Sequence, residues 1–171
     1  MKDPCSYDTY PPGTVMVANL VTILICLAGA YLMYRAGLLL LVPWLLLVFF
    51  LEFRLIRGHC VDCYYYGKTC AFGKGRISAL FFPRGDPERF SRMTITWKDL
   101  VPDFLVTLIP VITGIALLLM EFSWSILLAV LALLILGFAG NAYVRGTLAC
   151  RFCRQREAGC PAERLFAAKK P

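Results

Sequence analysis

Histidine is almost missing from this chain, and His59 stands alone. A single imidazole argues against bis-histidine haem. There is no Ser-His-Asp set, no phosphate-binding glycine loop and no HExxH helix, and no obvious pair of carboxylates replaces them. Charge is scarce as well, at 17% of residues, where soluble domains carry about 25%. None of that charge falls in the middle of a long apolar stretch. Glu52 and Asp103 lie near one interface, and Glu121 lies at the opposite turn. Intramembrane charges usually mark ion or proton paths, so their absence disfavours a coupled transporter. Any enzymatic activity has to come from the cysteines, and the sequence leans away from an enzyme.

Apolar residues make up 59% of the chain and are gathered in blocks. A helix needs about 20 mostly apolar residues to cross a bilayer. Four stretches qualify, near residues 15–34, 36–53, 101–120 and 122–144. The first is longer than the apolar region of a secretory signal. Its only cleavage-like patch is Ala28-Gly29-Ala30, so it reads as a retained helix. The expected fold is an all-α integral membrane protein with four transmembrane helices.

The net charge of +7 is placed to set topology. Of the 18 Lys and Arg residues, only Arg35 falls in a short inter-helix turn. The rest lie in three segments that share one side of the membrane if all four helices span it. Positive residues near helix ends are retained in the cytoplasm, where they also meet anionic headgroups. The expected arrangement is a multi-pass protein of a cell or organelle membrane. Both termini and the segment 54–99 are cytoplasmic, the partner is the lipid bilayer, and there is no nucleic acid. Cys5 and the later cysteine phrases then lie on the reducing side. Clustered cysteines there are metal ligands or catalytic groups more often than structural disulfides.

Cys60, Cys63 and Cys70 read C-x2-C-x6-C, and so do Cys150, Cys153 and Cys160. Each phrase follows an Arg-Gly pair, Arg57-Gly58 or Arg145-Gly146, at the end of an apolar stretch. The two pairs lie 88 positions apart, and that offset lays the first helix on the third and the second on the fourth. The chain therefore reads as two tandem repeats, 1–93 and 94–171. Each is an antiparallel hairpin followed by a cysteine phrase, and the two are related by a pseudo-twofold axis along the membrane normal. Arg57 and Arg145 share a structural role in this reading.

Zinc takes four ligands in a tetrahedron, and each phrase supplies three thiols. His59 or Cys5 can add one ligand to one site but not to both; His59 reads better as an outer donor or a solvated neighbour of Cys60. Six thiolates satisfy two zinc ions if two of them bridge. The spacing resembles the fungal Zn2Cys6 binuclear cluster, whose two C-x2-C-x6-C halves wrap two zincs. That resemblance covers the six cysteines only. It implies that Cys60 and Cys150 bridge and that Cys63, Cys70, Cys153 and Cys160 are terminal. In that family a short loop joins the halves, and the cluster carries a DNA-recognition helix. Here 79 residues with a membrane hairpin intervene, and only the ligand roles carry over. Iron–sulfur clusters are also held by thiolates, often with a proline after the last cysteine, as at Cys160-Pro161. Reversible dithiol chemistry at the C-x-x-C pairs is a third option. Cys26, at mid-membrane, reads as a small buried hydrophobe.

Further residues carry structural expectations. Ala129, Ala132, Ala139 and Gly140 form a small-residue stripe suited to a helix seam. Pro43 and Pro110 lie inside helices and are candidate kinks. Tyr10, Tyr34, Trp97, Trp124 and Tyr143 read as interfacial anchors. Asn19, Thr22, Thr107, Thr113 and Asn141 read as interhelical hydrogen-bond partners. Gly73, Gly75 and Gly85 punctuate the middle segment. Within it, Leu80-Phe81-Phe82-Pro83 rests on the membrane surface, and Asp86-Pro87 starts a short helix over 87–92. Tyr64-Tyr65-Tyr66 shields a site, stacks on a partner or lies at the interface. Arg154-Gln155-Arg156-Glu157 reads as a solvated loop and 167–171 as a frayed tail.

Together these readings predict a cytoplasmic, cysteine-rich, metal-binding cap on a four-helix bundle. Its function is that of a zinc-stabilised scaffold or subunit, with about two zinc ions, that docks a cytoplasmic or membrane partner. The alternatives are an iron–sulfur electron-transfer subunit and a thiol-redox enzyme.

Overall fold

A computed structural model describes residues 6–162. Cys5 and the tail 167–171 lie outside them. The described residues form helices and turns, and no strand is present among them. Four helices are long and apolar enough to cross a membrane: Pro12–Ala36, Leu38–Cys60, Trp97–Met120 and Trp124–Phe152. Their outer surfaces suit lipid and not water, for Leu39 is 91% exposed and Leu119 84%.

Helix α1 is Pro12–Ala36 and α2 is Leu38–Leu55. Only Gly37 separates them. Its φ of 128° is one that L side chains rarely adopt, and its N–H returns to the Met33 and Tyr34 carbonyls. The turn is tighter than the sequence suggests. Two short helices follow, α3 (Lys74–Phe81) and α4 (Pro87–Arg92). The second is the expected one: Asp86 caps it, accepting from the Glu88 N–H at 2.9 Å. Helix α5 (Trp97–Met120) begins at a capping box that Thr96 and Asp99 form with each other. Helix α6 (Trp124–Leu134) follows the turn at Glu121, Phe122 and Ser123, and the span then continues through wide π turns at Ile135–Gly140 and Val144–Ala149.

Helix α1 is central and packs against α2, α5 and α6. The buried core is Ile25, Leu32, Val111, Ile126, Val130 and Leu133. Lipid tails are as apolar as leucine, so close backbone approach and polar contacts must hold such a bundle together. Glycines provide the approach. A Cβ at Gly29 would fall 2.7 Å from the Trp44 ring, one at Gly114 2.5 Å from Val130, and one at Gly137 2.9 Å from Thr107. The expected alanine stripe is only partly this seam: Ala129 packs on the core, but Ala139 is exposed.

Pro110 and Trp44 supply the polar contact. A proline lacks the N–H that would bond the carbonyl four residues earlier, which here is that of Val106. The Trp44 indole donates to the Val106 carbonyl at 3.1 Å. Trp44 is 3% exposed and joins α2 to α5. The side chains named above as interhelical partners behave differently. Asn19, Thr22 and Asn141 bond to carbonyls four residues back in their own helices. Each helix offers a near carbonyl in easy reach, and that local bond wins.

Removing the indole donor strands the Val106 carbonyl in an apolar setting. Trp44→Phe is expected to cost about 1–3 kcal/mol, read as a lower unfolding midpoint in detergent. In a Pro110→Ala background the helix supplies its own donor, so the same substitution should cost clearly less. Equal losses in both backgrounds would refute the pairing.

Candidate functional site

Both cysteine phrases grow out of π turns at helix ends. Ile56–Cys60 extends α2 and carries Arg57-Gly58; Val144–Ala149 ends the fourth span and carries Arg145-Gly146. The chain then turns in the same way twice. Cys63 N–H reaches the Cys60 carbonyl at 3.4 Å, and Cys153 N–H reaches that of Cys150 at 3.3 Å. Tyr66 N–H meets the Cys63 carbonyl at 3.0 Å, and Arg156 N–H meets that of Cys153 at 3.1 Å.

Backbone donors act on the sulfurs. Gly75 N–H lies 3.4 Å from Cys70 Sγ, and the backbone N–H of Tyr65 favours the Cys63 thiolate as those of Gln155 and Arg156 favour that of Cys153. Burial nevertheless dominates. It pushes the Cys63 thiol up to about 12 and that of Cys153 to about 11, with those donors pulling the other way. Charge on Cys153, Cys60 or Cys70 would raise Cys63 further, so thiols of both phrases share one neighbourhood. None of the described cysteines is in a disulfide. Among the described residues, no three Cys, His, Asp or Glu side chains stand close enough to hold one ion.

The N-terminal arm ties the phrases to each other. Tyr7 N–H donates to the Phe152 carbonyl at 3.0 Å, and the Tyr7 carbonyl accepts from the Tyr65 hydroxyl at 2.6 Å. Tyr10 N–H donates to the Thr69 carbonyl at 2.9 Å, and its hydroxyl donates to the Ala149 carbonyl at 2.5 Å. The Tyr65 hydroxyl also accepts from the Arg154 N–H at 3.0 Å. Tyr10, Tyr65, Ala71 and Ala149 form a buried cluster flanked by Cys63, Cys70 and Cys153. Tyr10 is therefore a core residue of this cap and not an interfacial anchor, whereas Tyr34, Trp97, Trp124 and Tyr143 remain exposed near helix ends. Burial pushes the Tyr65 hydroxyl up to about 12 and keeps it a neutral donor.

Gln155 overturns the solvated-loop reading of its segment. It is 4% exposed, and its Oε1 accepts from the Tyr64 N–H at 2.6 Å. Arg154 beside it pairs with Asp8. The Tyr64 hydroxyl at 2.5 Å, and then Arg154, hold the Asp8 carboxyl below its usual range. Arg145 lies over the Phe72 ring at 5.5 Å, a further link between the halves. His59 is half-buried and edge-on to Phe90. Asp62, between Cys60 and Cys63, is 2% exposed, and neither of its carboxylate oxygens has a hydrogen bond. Arg89 Nε lies 3.8 Å away. A Cβ at Gly85 would sit 1.8 Å from Asp62 Oδ1, so any side chain there would have to displace the Asp62 carboxylate. Sequence reasoning missed Asp62, Gln155 and the arm. The signal available was a tyrosine run beside a cysteine pair, which names no partner.

Tyr65→Phe removes a donor to Tyr7 and an acceptor for Arg154. It is expected to cost about 1–3 kcal/mol and to expose the arm to protease while the helical circular dichroism is unchanged. An arm as resistant as in the parent chain would show that these bonds do not hold it. Comparison with family models, curated proteins and solved structures finds no match for this chain.

Proposed function

We propose that this chain is a membrane scaffold or subunit whose two cysteine phrases bind metal through thiolates and clamp the ends of its two hairpins. The observation that carries the reading is the matched pair of C-x-x-C turns, together with the Gly75 N–H on Cys70 Sγ. Donors of this kind stabilise a thiolate, the form that a soft or borderline cation takes up. Zinc is the preferred ion: it accepts all-thiolate tetrahedra, and a saturated site is structural and not catalytic. Cys60, Cys63, Cys70, Cys150, Cys153 and Cys160 are the ligands. The equivalence of the turns also supports two tandem halves, 1–93 and 94–171. The spread of Lys and Arg supports a cytoplasmic cap whose basic surface meets a cytoplasmic or membrane partner. Iron–sulfur electron transfer is the second reading, favoured by Cys160 followed by the buried Pro161.

Metal analysis of anaerobically purified protein separates these readings. A colourless sample with about two zinc ions per chain is expected. Brown protein with equal iron and sulfide would replace zinc by a cluster. Metal-free protein with a reversible Cys60–Cys63 disulfide would replace both by thiol chemistry. If Cys60 bridges, Cys60→Ser should lower the occupancy of both ions; loss of one alone would mean two separate sites. Chelation of the metal should loosen the arm and lower the unfolding midpoint. For orientation, a membrane-impermeant maleimide added to intact cells should leave the six thiols unmodified yet label a Glu121→Cys variant. The reverse pattern would invert the topology.

A further inference from the structure

Helix α3 faces outward with the wrong residues for water. Gly75 and Ser78 are buried, and a Cβ at Gly75 would fall 2.1 Å from the Tyr65 carbonyl oxygen. The opposite face carries Arg76, Ile77, Leu80 and Phe81, with Leu80 79% and Phe81 74% exposed. The depth of this helix is set by its neighbours. A Cβ at Gly73 would lie 3.7 Å from Val15 of α1. Lys74 Nζ bonds both carboxylate oxygens of Glu52, at 2.8 and 2.5 Å, and Phe82 packs edge-on against Phe53 at 5.7 Å. These contacts hold α3 beside the ends of two membrane-spanning helices. Through Phe82 and Phe53 its apolar face continues the exposed surface of α2.

A groove of about 550 Å³ opens beside it, between α3 and the start of α1. Thr9, Thr69 and Arg76 line its polar part, and Val15 and Met16 form its apolar wall. Met16 is 69% exposed, and Leu20 below it is 53% exposed. The Arg76 guanidinium has no ion-pair partner among the described residues. No carboxylate lines the groove, so nothing there offsets Arg76 or receives a headgroup ammonium.

We propose that α3 is an interfacial helix and that this groove binds an anionic phospholipid of the adjoining leaflet. The phosphate meets Arg76 and the two threonine hydroxyls. The acyl chains follow Met16 and Leu20 down α1, and Leu80 and Phe81 enter the acyl boundary next to them. The polar–apolar sequence of the groove matches that of a phospholipid, and an unpaired cation at headgroup level is the electrostatic part of such a site.

Native mass spectrometry of the full chain, released from micelles containing phosphatidylglycerol, tests this. The parent protein should retain that lipid in preference to phosphatidylcholine. Arg76→Gln should weaken retention about five-fold, the effect of one basic residue at a membrane surface. Arg92→Gln, outside the groove, should leave it unchanged. Leu80→Ser combined with Phe81→Ser keeps every charge and should also reduce retention, which guards against a folding effect of the Arg76 variant. Equal retention by Arg76→Gln and the parent, or an equal drop in Arg92→Gln, would overturn the site. Displacement of the lipid by millimolar inorganic phosphate would overturn the lipid in favour of a free anion.

Discussion

The bond from the Trp44 indole to the Val106 carbonyl holds the two hairpins in one register. Proline at 110 frees that carbonyl, and glycine at 29 makes room for the ring that satisfies it. In a membrane an unpaired backbone group has no water to turn to, and apolar burial does not by itself choose one helix pairing over another. A single satisfied acceptor with a shaped seat can. Everything beyond the helix ends inherits this register, because α2 and the fourth span each run directly into a cysteine phrase. If the hairpins slid past one another, the phrases would part and the arm would lose one of its two anchors.

The cap sets two tendencies against each other. Burial favours neutral thiols at Cys63 and Cys153, while backbone N–H groups favour their anions. A soluble fold of this size could satisfy such donors with water. Here the tyrosine cluster covers them, and Tyr65 is spent on the arm and Arg154. The cysteines stay partly accessible beside this cluster, and Cys150 is exposed. If the proposed zinc reading holds, its affinity depends on pH through the protons released on binding.

Much of the scaffold was legible in the sequence, because it depends on local properties. Hydropathy located all four spans, and Asp86-Pro87 marked the short helix, since a cap and a fixed φ act within one turn. The spans run longer than the hydropathy suggested, for the π turns carry polar Arg-Gly pairs that no apolar window includes. The cysteine phrases were visible as a pattern, and Cys63, Cys70 and Cys153 flank one buried cluster. Their company was not visible. Tyr10 reads as an interfacial residue from its place before an apolar stretch, yet its hydroxyl bonds Ala149. Gln155 sits in a charged run and is buried by Tyr64. Asn19 and Asn141 looked suited to partner helices and chose their own carbonyls. Each error has the same origin: composition states what a side chain is able to do, while the partner it meets lies far along the chain.

The threading of the arm bears on biogenesis. Two of the arm's bonds, from Tyr7 N–H to Phe152 and from the Tyr10 hydroxyl to Ala149, need the fourth helix, so the ribosome must finish that helix before they can form. Docking of the arm therefore follows completion of the fourth helix, and a chain truncated before that helix would lack both of these bonds.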